Sequence, residues 1–292
     1  MTRKYFVNPT IELLALLSIV VVLLLSGCGG TSSASTSSAT ATATRAASGT
    51  AGSATLKHAP RGTTAISWTP ANQNLTVKIS LVDLAPSSTH PAHVHSGSCT
   101  KQGAVVYTLN NVLADARGVG SSTTVIKNVK TVPASGWNIS VRNGPGLAPA
   151  DQDLPIVCSD LTFTHLSPTS PLSVQVPLDA AQGSDASETA SGTAQLTISG
   201  STLTVKLTLS GLQPGSSHAA HIHTGSCESQ GAVIYPLSNV IADASGKSIS
   251  TTTIKNVSSI PGRGWYVHVH YSTDIATQTG FNPIACGNVT VR

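Results

Sequence analysis

Two pairs of histidines late in the sequence have the spacing of a metal site. His221 and His223 stand in HAAHIH, and His268 and His270 stand in WYVHVH. Residues two apart on a strand project from the same face, so two such pairs on adjacent strands can converge on one ion. Neutral imidazole binds copper and zinc, and a flat set of nitrogen ligands favours Cu(II). The alternative is that these pairs are only the solvated face of a strand.

The stretch around the first pair occurs twice, as HPAHVHSGSC and as HAAHIHTGSC. The offset is 221 − 93 = 128 residues, and it is constant from Leu75 to Cys158 in the first copy. A constant offset over this length indicates a duplication without insertions. We expect two domains, at residues 54–165 and 190–292, joined by a linker at 166–189 that is rich in Pro, Ser and Gly.

The two copies differ on the strand that carries the second histidine pair. Ser140 and Arg142 stand where the second copy has His268 and His270. A guanidinium is always charged and would repel a metal ion held beside the first copy's own histidine pair. We therefore expect a metal site in the second copy only, and a structural, hydrogen-bonding role for His218 in the surroundings of that site.

The rest of each copy has the pattern of short strands. Residues 203–209 alternate apolar and polar side chains, as a half-buried strand should, and 232–235, 248–254 and 265–271 are further candidates. Gly- and Pro-containing turn signals separate them, and no window predicts a helix of about ten residues or more. This pattern predicts an all-β fold of two tandem Greek-key barrels or sandwiches.

Four cysteines follow Cys28, and their spacing predicts the disulfides. Within each copy the separation is the same, 158 − 99 = 59 and 286 − 227 = 59. Four cysteines allow three pairings, and if each copy folds alone the repeat selects Cys99 with Cys158 and Cys227 with Cys286. Free thiols or a Cys–His metal site are the alternatives.

The N-terminus has the features of an export signal. Two basic residues precede an apolar run at 13–25, which is too short to span a bilayer and is followed by Leu-Ser-Gly-Cys. This tetrapeptide resembles the bacterial lipobox, which implies that residues 1–27 are removed and that Cys28 is lipidated. Residues 28–53 are mostly Ser, Thr, Ala and Gly and predict a flexible tether. We expect an extracytoplasmic protein anchored to the membrane by lipid.

The composition excludes several classes of function. Charged residues make up 10% of the chain, and the formal charge of +4 is not clustered, so nucleic acid is not an expected partner. The sequence contains no nucleophilic triad pattern, Walker motif or Rossmann motif, which removes support for hydrolases and nucleotide-binding enzymes.

The second copy resembles a shortened Cu/Zn superoxide dismutase domain, and it also resembles the related CHRD domain. The resemblance is carried by HAAHIH with its following Gly-Ser-Cys, by QGAVIYPLSNVIADASG, by WYVHVH and by IACGNV. It implies that His221, His223 and His270 bind copper, with His268 as a fourth ligand if its ring turns inward. It also implies that Asp274 orients one of these ligands by a hydrogen bond without binding the metal itself.

The same comparison shows two departures from the dismutase pattern. Only residues 224–230 stand where that family has a long zinc-binding loop, so no zinc site is expected. Pro283 stands where the family has the arginine that attracts superoxide. We therefore expect a copper-binding surface lipoprotein, with superoxide dismutation as its candidate activity. The alternatives are a non-catalytic CHRD-like structural or adhesive module, and an extracytoplasmic copper store or chaperone.

Overall fold

The computed structural model describes residues 48–164, 167, 169–180 and 189–291. The expected signal peptide at 1–27, the lipidation site Cys28 and the tether up to residue 47 lie outside the described residues. Nearly all of the regular structure is β-strand, which confirms the all-β prediction. No helix in the described part is long and apolar enough to cross a membrane.

The described residues contain 21 strands and one short helix. The strands up to residue 180 are β1 (Ser48–Gly49), β2 (Ala51–His58), β3 (Arg61–Thr69), β4 (Asn74–Val82), β5 (Thr89–His90), β6 (Ala92–Ser98), β7 (Lys101–Thr108), β8 (Val112–Ala114), β9 (Gly120–Ile126), β10 (Trp137–Arg142), β11 (Pro155–Leu161) and β12 (Leu172–Ala180). The later elements are β13 (Ser191–Ser199), β14 (Thr202–Ser210), β15 (Ser217–Ser226), β16 (Ser229–Ile241), β17 (Ser248–Lys255), β18 (Ile260–Pro261), β19 (Trp265–His270), α1 (Gln278–Phe281), β20 (Pro283–Asn288) and β21 (Thr290–Val291).

Alternating side chains explain why these segments are strands. In β4, which reads NLTVKISLV, Leu75, Val77, Ile79 and Leu81 are buried, and the polar residues between them lie on the other face. Strand β14 has the same pattern and lies 202 − 74 = 128 residues later, so the duplication is preserved in the structure.

The strands form two large, barrel-like sheets, one around each repeat. The first sheet has the order β5-β8-β9-β4-β3-β12-β11-β10-β6-β7, and the second has the order β16-β15-β19-β20-β2-β13-β14-β17. In the second sheet, the long strand β16 pairs with β15 and also contacts β17, so that this sheet curls round on itself. Each sheet encloses its own core of apolar side chains.

Two strands are exchanged between the repeats. Strand β2 precedes the first repeat in the chain, yet it pairs with β13 and β20 of the second. Strand β12 precedes the second repeat, yet it pairs with β3 and β11 of the first. Each barrel is therefore closed by the strand that stands in front of the other repeat.

The buried side chains of the exchanged strands follow the same pattern. Leu56 of β2 is 1% exposed and belongs to the second core, whereas Leu178 of β12 is 0% exposed and belongs to the first core. Each strand has one apolar face, and each barrel has room for one such strand against its core. Burial of the apolar face stabilises the strand in either barrel, whatever its position in the chain.

The exchange corrects the expected domain boundaries. Residues 172–180 lie in the expected linker at 166–189 but form a strand, and residues 51–53 of the expected tether belong to β2. The repeats 54–165 and 190–292 are therefore not separate folding units with a free linker. Neither the composition of the linker nor that of the tether shows which sheet these strands join, because pairing partners are set by tertiary structure.

Both disulfides predicted from the repeat are present. Cys99 bonds Cys158 and Cys227 bonds Cys286, each with a Cα–Cα distance of 5.9 Å. Each bond joins the turn after the histidine-bearing strand, β6 or β15, to the strand that pairs with an exchanged strand, β11 or β20. The bonds thus tie β6 to β11 and β15 to β20.

Candidate metal centre

Four of the five histidines on the adjacent strands β15 and β19 form two facing pairs, His221 with His223 and His268 with His270. The strands are antiparallel, and His221 is directly opposite His268. Ile222, Val267 and Val269 point into the second core. The histidines alternate with these residues and therefore lie on the opposite face of the two strands.

Three of these histidines converge. The ligand atoms of His221, His223 and His270 all lie within 4.8 Å of one another. The closest pair is His270 Nε2 and His221 Nδ1, which are 3.1 Å apart. His223 and His270 are buried and His221 is half-buried, so the site can be reached from one side.

Backbone carbonyls fix the orientation of two of the rings. His223 Nδ1 donates to the carbonyl oxygen of Gly231 at 3.1 Å, and His270 Nδ1 donates to that of Phe281 at 2.6 Å. A carbonyl can only accept a hydrogen bond, so each Nδ1 carries the proton and each Nε2 bears the lone pair of the neutral ring. Nε2 of His223 is buried and has no hydrogen-bond partner among the described residues.

Burial keeps these imidazoles neutral. Desolvation, together with the neighbouring His268, lowers the pKa of His223 to about 4. Desolvation also lowers the pKa of His221 and that of His270 below the ordinary value. Neutral imidazole is the form that binds a metal ion, so the three rings are ready to bind one at neutral pH.

An aromatic ring supports the buried end of the site. Tyr266 stacks on His223 with a centroid distance of 4.9 Å and an interplanar angle of 25°. Phe281 packs against His270 with a centroid distance of 4.6 Å. These contacts limit the rotation of the two buried rings about their side-chain bonds.

The structure does not bring His268 into the converging set. Its Nε2 lies 3.2 Å from Oδ1 of Asp83, which belongs to the first repeat. Both side chains are fully buried. His268 is therefore not a fourth ligand as expected, because its ring is directed toward the carboxylate of Asp83.

The structure also corrects the expected role of Asp274. Its side chain is exposed, and its carboxylate accepts a hydrogen bond from the backbone N–H of Ala276 within its own loop. The acceptor that orients His270 is the carbonyl of Phe281 instead. A sequence pattern cannot reveal this acceptor, because any residue type supplies a backbone carbonyl.

His218 has the structural role expected for it. Its Nδ1 donates to the carbonyl oxygen of His270 at 3.0 Å, and its Nε2 lies 2.7 Å from Ser216 Oγ. The first repeat has the same arrangement, with His90 between Ser88 and the carbonyl of Arg142. His218 therefore fixes the backbone of a candidate ligand without facing the site.

In the first repeat a guanidinium takes the place of the third imidazole. Arg142 NH2 lies 2.8 Å from His95 Nε2, the nitrogen that matches the free Nε2 of His223, and it donates to Gln102 Oε1 at 3.0 Å. The Arg142 guanidinium also lies 3.5 Å from the carboxylate of Asp153. The arginine thus occupies the first repeat's equivalent site through its own hydrogen bonds.

Two residues near the second repeat's histidines were not predicted from the sequence: Asp83, which contacts His268, and Gln230, which contacts Asp83. Asp83 and Gln230 both lie at the boundary between the repeats, and Gln230 Nε2 donates to Asp83 Oδ1 at 3.1 Å. The position matching Asp83 in the second repeat is Gly211, since 83 + 128 = 211. This loss of symmetry was the one available signal.

The fold and the site together define a disulfide-closed, all-β module with a three-histidine centre. The CHRD domain family matches residues 174–274. That range begins within β12 and includes all five histidines of β15 and β19. No curated protein matches the chain.

Proposed function

We propose that the second repeat binds one Cu(II) ion through His221, His223 and His270, in a lipid-anchored protein outside the cytoplasm. The observation that supports this most strongly is the buried Nε2 of His223, which has no partner in the described structure and belongs to a set of ligand atoms within 4.8 Å of one another. Nitrogen ligands of this kind suit copper.

The surroundings of the three rings fit such an ion. Two of the rings donate their other nitrogen to backbone carbonyls, which is the usual outer contact of metal-bound histidine. No carboxylate is among the three ligands, so the donor set favours copper or zinc over calcium or magnesium.

Copper would supply one-electron chemistry, and superoxide dismutation is the reaction we propose to test for. The residues of this chain would hold the ion on its buried side, and half-buried His221 would leave the other side accessible to a small molecule. Pro283 stands where the dismutase pattern has its attracting arginine. We therefore expect any dismutation to be slower than that of an enzyme with the arginine.

A second candidate function is that of a non-catalytic module. The CHRD match supports it, as does the contact of 3.1 Å between His221 Nδ1 and His270 Nε2, because a hydrogen bond between the two rings would also serve a packing role. A structural role predicts that these rings serve packing only, and that replacing them affects stability without any effect on ion binding.

The experiment is a Cu(II) titration of the full chain by calorimetry with two matched alanine variants. His223→Ala should abolish the high-affinity binding. His95→Ala, at the equivalent position of the first repeat, should leave it unchanged, since Arg142 already occupies that nitrogen. If the wild type shows no binding above that of His223→Ala, the non-catalytic module is the better assignment.

A further inference from the structure

A buried polar cluster joins the two repeats beside the three-histidine site. It consists of Asp83 from the first repeat with His268 and Gln230 from the second, and all three are buried. His268 Nε2 lies 3.2 Å from Asp83 Oδ1. Gln230 Nε2 donates to that oxygen and, at 2.8 Å, to the carbonyl oxygen of Leu84. A carboxylate of the first repeat therefore contacts the strand that carries His270.

The backbone at Asp83 favours glycine. Asp83 has a φ of 66°, and its counterpart Gly211 has a φ of 75°. Glycine adopts this left-handed conformation without penalty, and aspartate adopts it less readily. The second repeat therefore has the residue that suits the backbone at this position, and the first repeat has a carboxylate there.

Part of the cluster is buried without hydrogen bonds. Asp83 Oδ2 and both ring nitrogens of His268 have no hydrogen bond to any described residue. Each such group is destabilising, because burial removes its hydrogen bonds to water. Arrangements that weaken a fold in this way are found at functional sites.

The effect of the contact is on the ligand rings. The ring of His268 lies edge-on to both of them, with centroid distances of 5.3 Å to His223 and 4.7 Å to His270. Any change in the orientation of His268 must move one of these rings, because all three are buried side by side.

We infer that Asp83 is a positioning residue for the histidine site of the other repeat: by holding His268 it fixes the rings of His223 and His270. The metal site would then be shared between the repeats, although all of its ligands belong to the second. The copper part of the test rests on the proposed function, and the imidazole part does not.

The test compares Asp83→Gly and Asp83→Asn in the full chain. Glycine fits the backbone and removes the carboxylate, and asparagine keeps the shape of the side chain without its charge. Asn128→Gly is the matched control, because Asn128 also has a positive φ, 61°, but is exposed on the first repeat. Cu(II) affinity is measured by competition with a chelator, and thermal melting shows that each variant is folded.

Both Asp83 variants should lower the Cu(II) affinity by about 10- to 100-fold, as the loss of other outer contacts does. Asn128→Gly should not. In the metal-free protein, the ring-nitrogen NMR signals of His223 and His270 should shift in the Asp83 variants only. A purely structural role would lower the melting temperature and leave those ring signals in place.

Two results separate the inference from the proposed function. If the wild type binds no Cu(II), the proposed function fails, and the ring-nitrogen signals alone decide the role of Asp83. If folded Asp83→Gly and Asp83→Asn keep the ring signals of the wild type, Asp83 does not position the site and the inference is overturned.

Discussion

Replacement of Leu56 by alanine tests the strand exchange through its effect on the second repeat. Leu56 lies on β2 and is 1% exposed in the second core. The change removes three carbon atoms at about 0.8 kcal/mol each, or about 2.4 kcal/mol of transfer free energy. The cavity left behind brings the expected loss to about 3–4 kcal/mol. The loss should fall on the second barrel, although Leu56 precedes the first repeat in the sequence.

Hydrogen exchange followed by mass spectrometry locates this loss. Peptides from β13, β14 and β20 should exchange about 100- to 1,000-fold faster, since each 1.4 kcal/mol is a factor of ten. Leu178→Ala should have the reciprocal effect on β3 and β11, because Leu178 belongs to the first core. Thr55→Ala is the control, since Thr55 is on β2 but points to solvent. Faster hydrogen exchange in β3 and β4 of Leu56→Ala, in place of β13, β14 and β20, would refute the assignment of β2 to the second barrel.

Three further predictions concern the anchor, the disulfides and the pH dependence. Cys28→Ala should release the protein from membrane fractions or leave an uncleaved precursor, and a variant that is processed and anchored like the wild type would exclude Cys28 as the lipid site. Peptide mapping without reduction should find only disulfides within one repeat, and a bond between the repeats would contradict the structure. The metal-free protein should melt at a lower temperature at pH 5 than at pH 7, because burial holds the pKa of several imidazoles below 6.5, so that the unfolded chain binds more protons in this range. Among the described residues, Asp83 opposes this effect because its pKa is raised to about 7, and a melting temperature that rises on acidification would show that it dominates. The imidazoles are those of His58, His90, His223, His268 and His270.

Much of the fold could be predicted from the sequence because it depends on local patterns. The alternation in β4 and β14 predicts strands, and the constant offset predicts the duplication and both disulfides. The sheet that an exchanged strand joins could not be predicted in this way, because β2 and β12 each present an apolar face that either barrel could bury. Pro177 and the surrounding serines also make residues 172–180 look like a linker.

The candidate site was predictable where residue type determines the chemistry. His221, His223 and His270 were expected together, and the structure brings them together. The predicted role of Asp274 was wrong because the backbone carbonyl of Phe281 orients His270, and every residue has such a carbonyl. Asp83 was missed because it belongs to the other repeat, and no local pattern connects it to the histidines.

The copper content of the purified full chain tests the central claim most directly. After loading with Cu(II) and removal of weakly bound ions, we expect one copper per chain, with an electron paramagnetic resonance spectrum that shows coupling to imidazole nitrogens. One copper is expected because, among the described residues, only the second repeat has three histidine ligand atoms within 4.8 Å of one another. In the first repeat the guanidinium of Arg142 contacts the equivalent histidine nitrogen. His270→Ala should remove both the copper and its spectrum. Two equivalent coppers per chain, or a copper content unchanged in His270→Ala, would contradict the account.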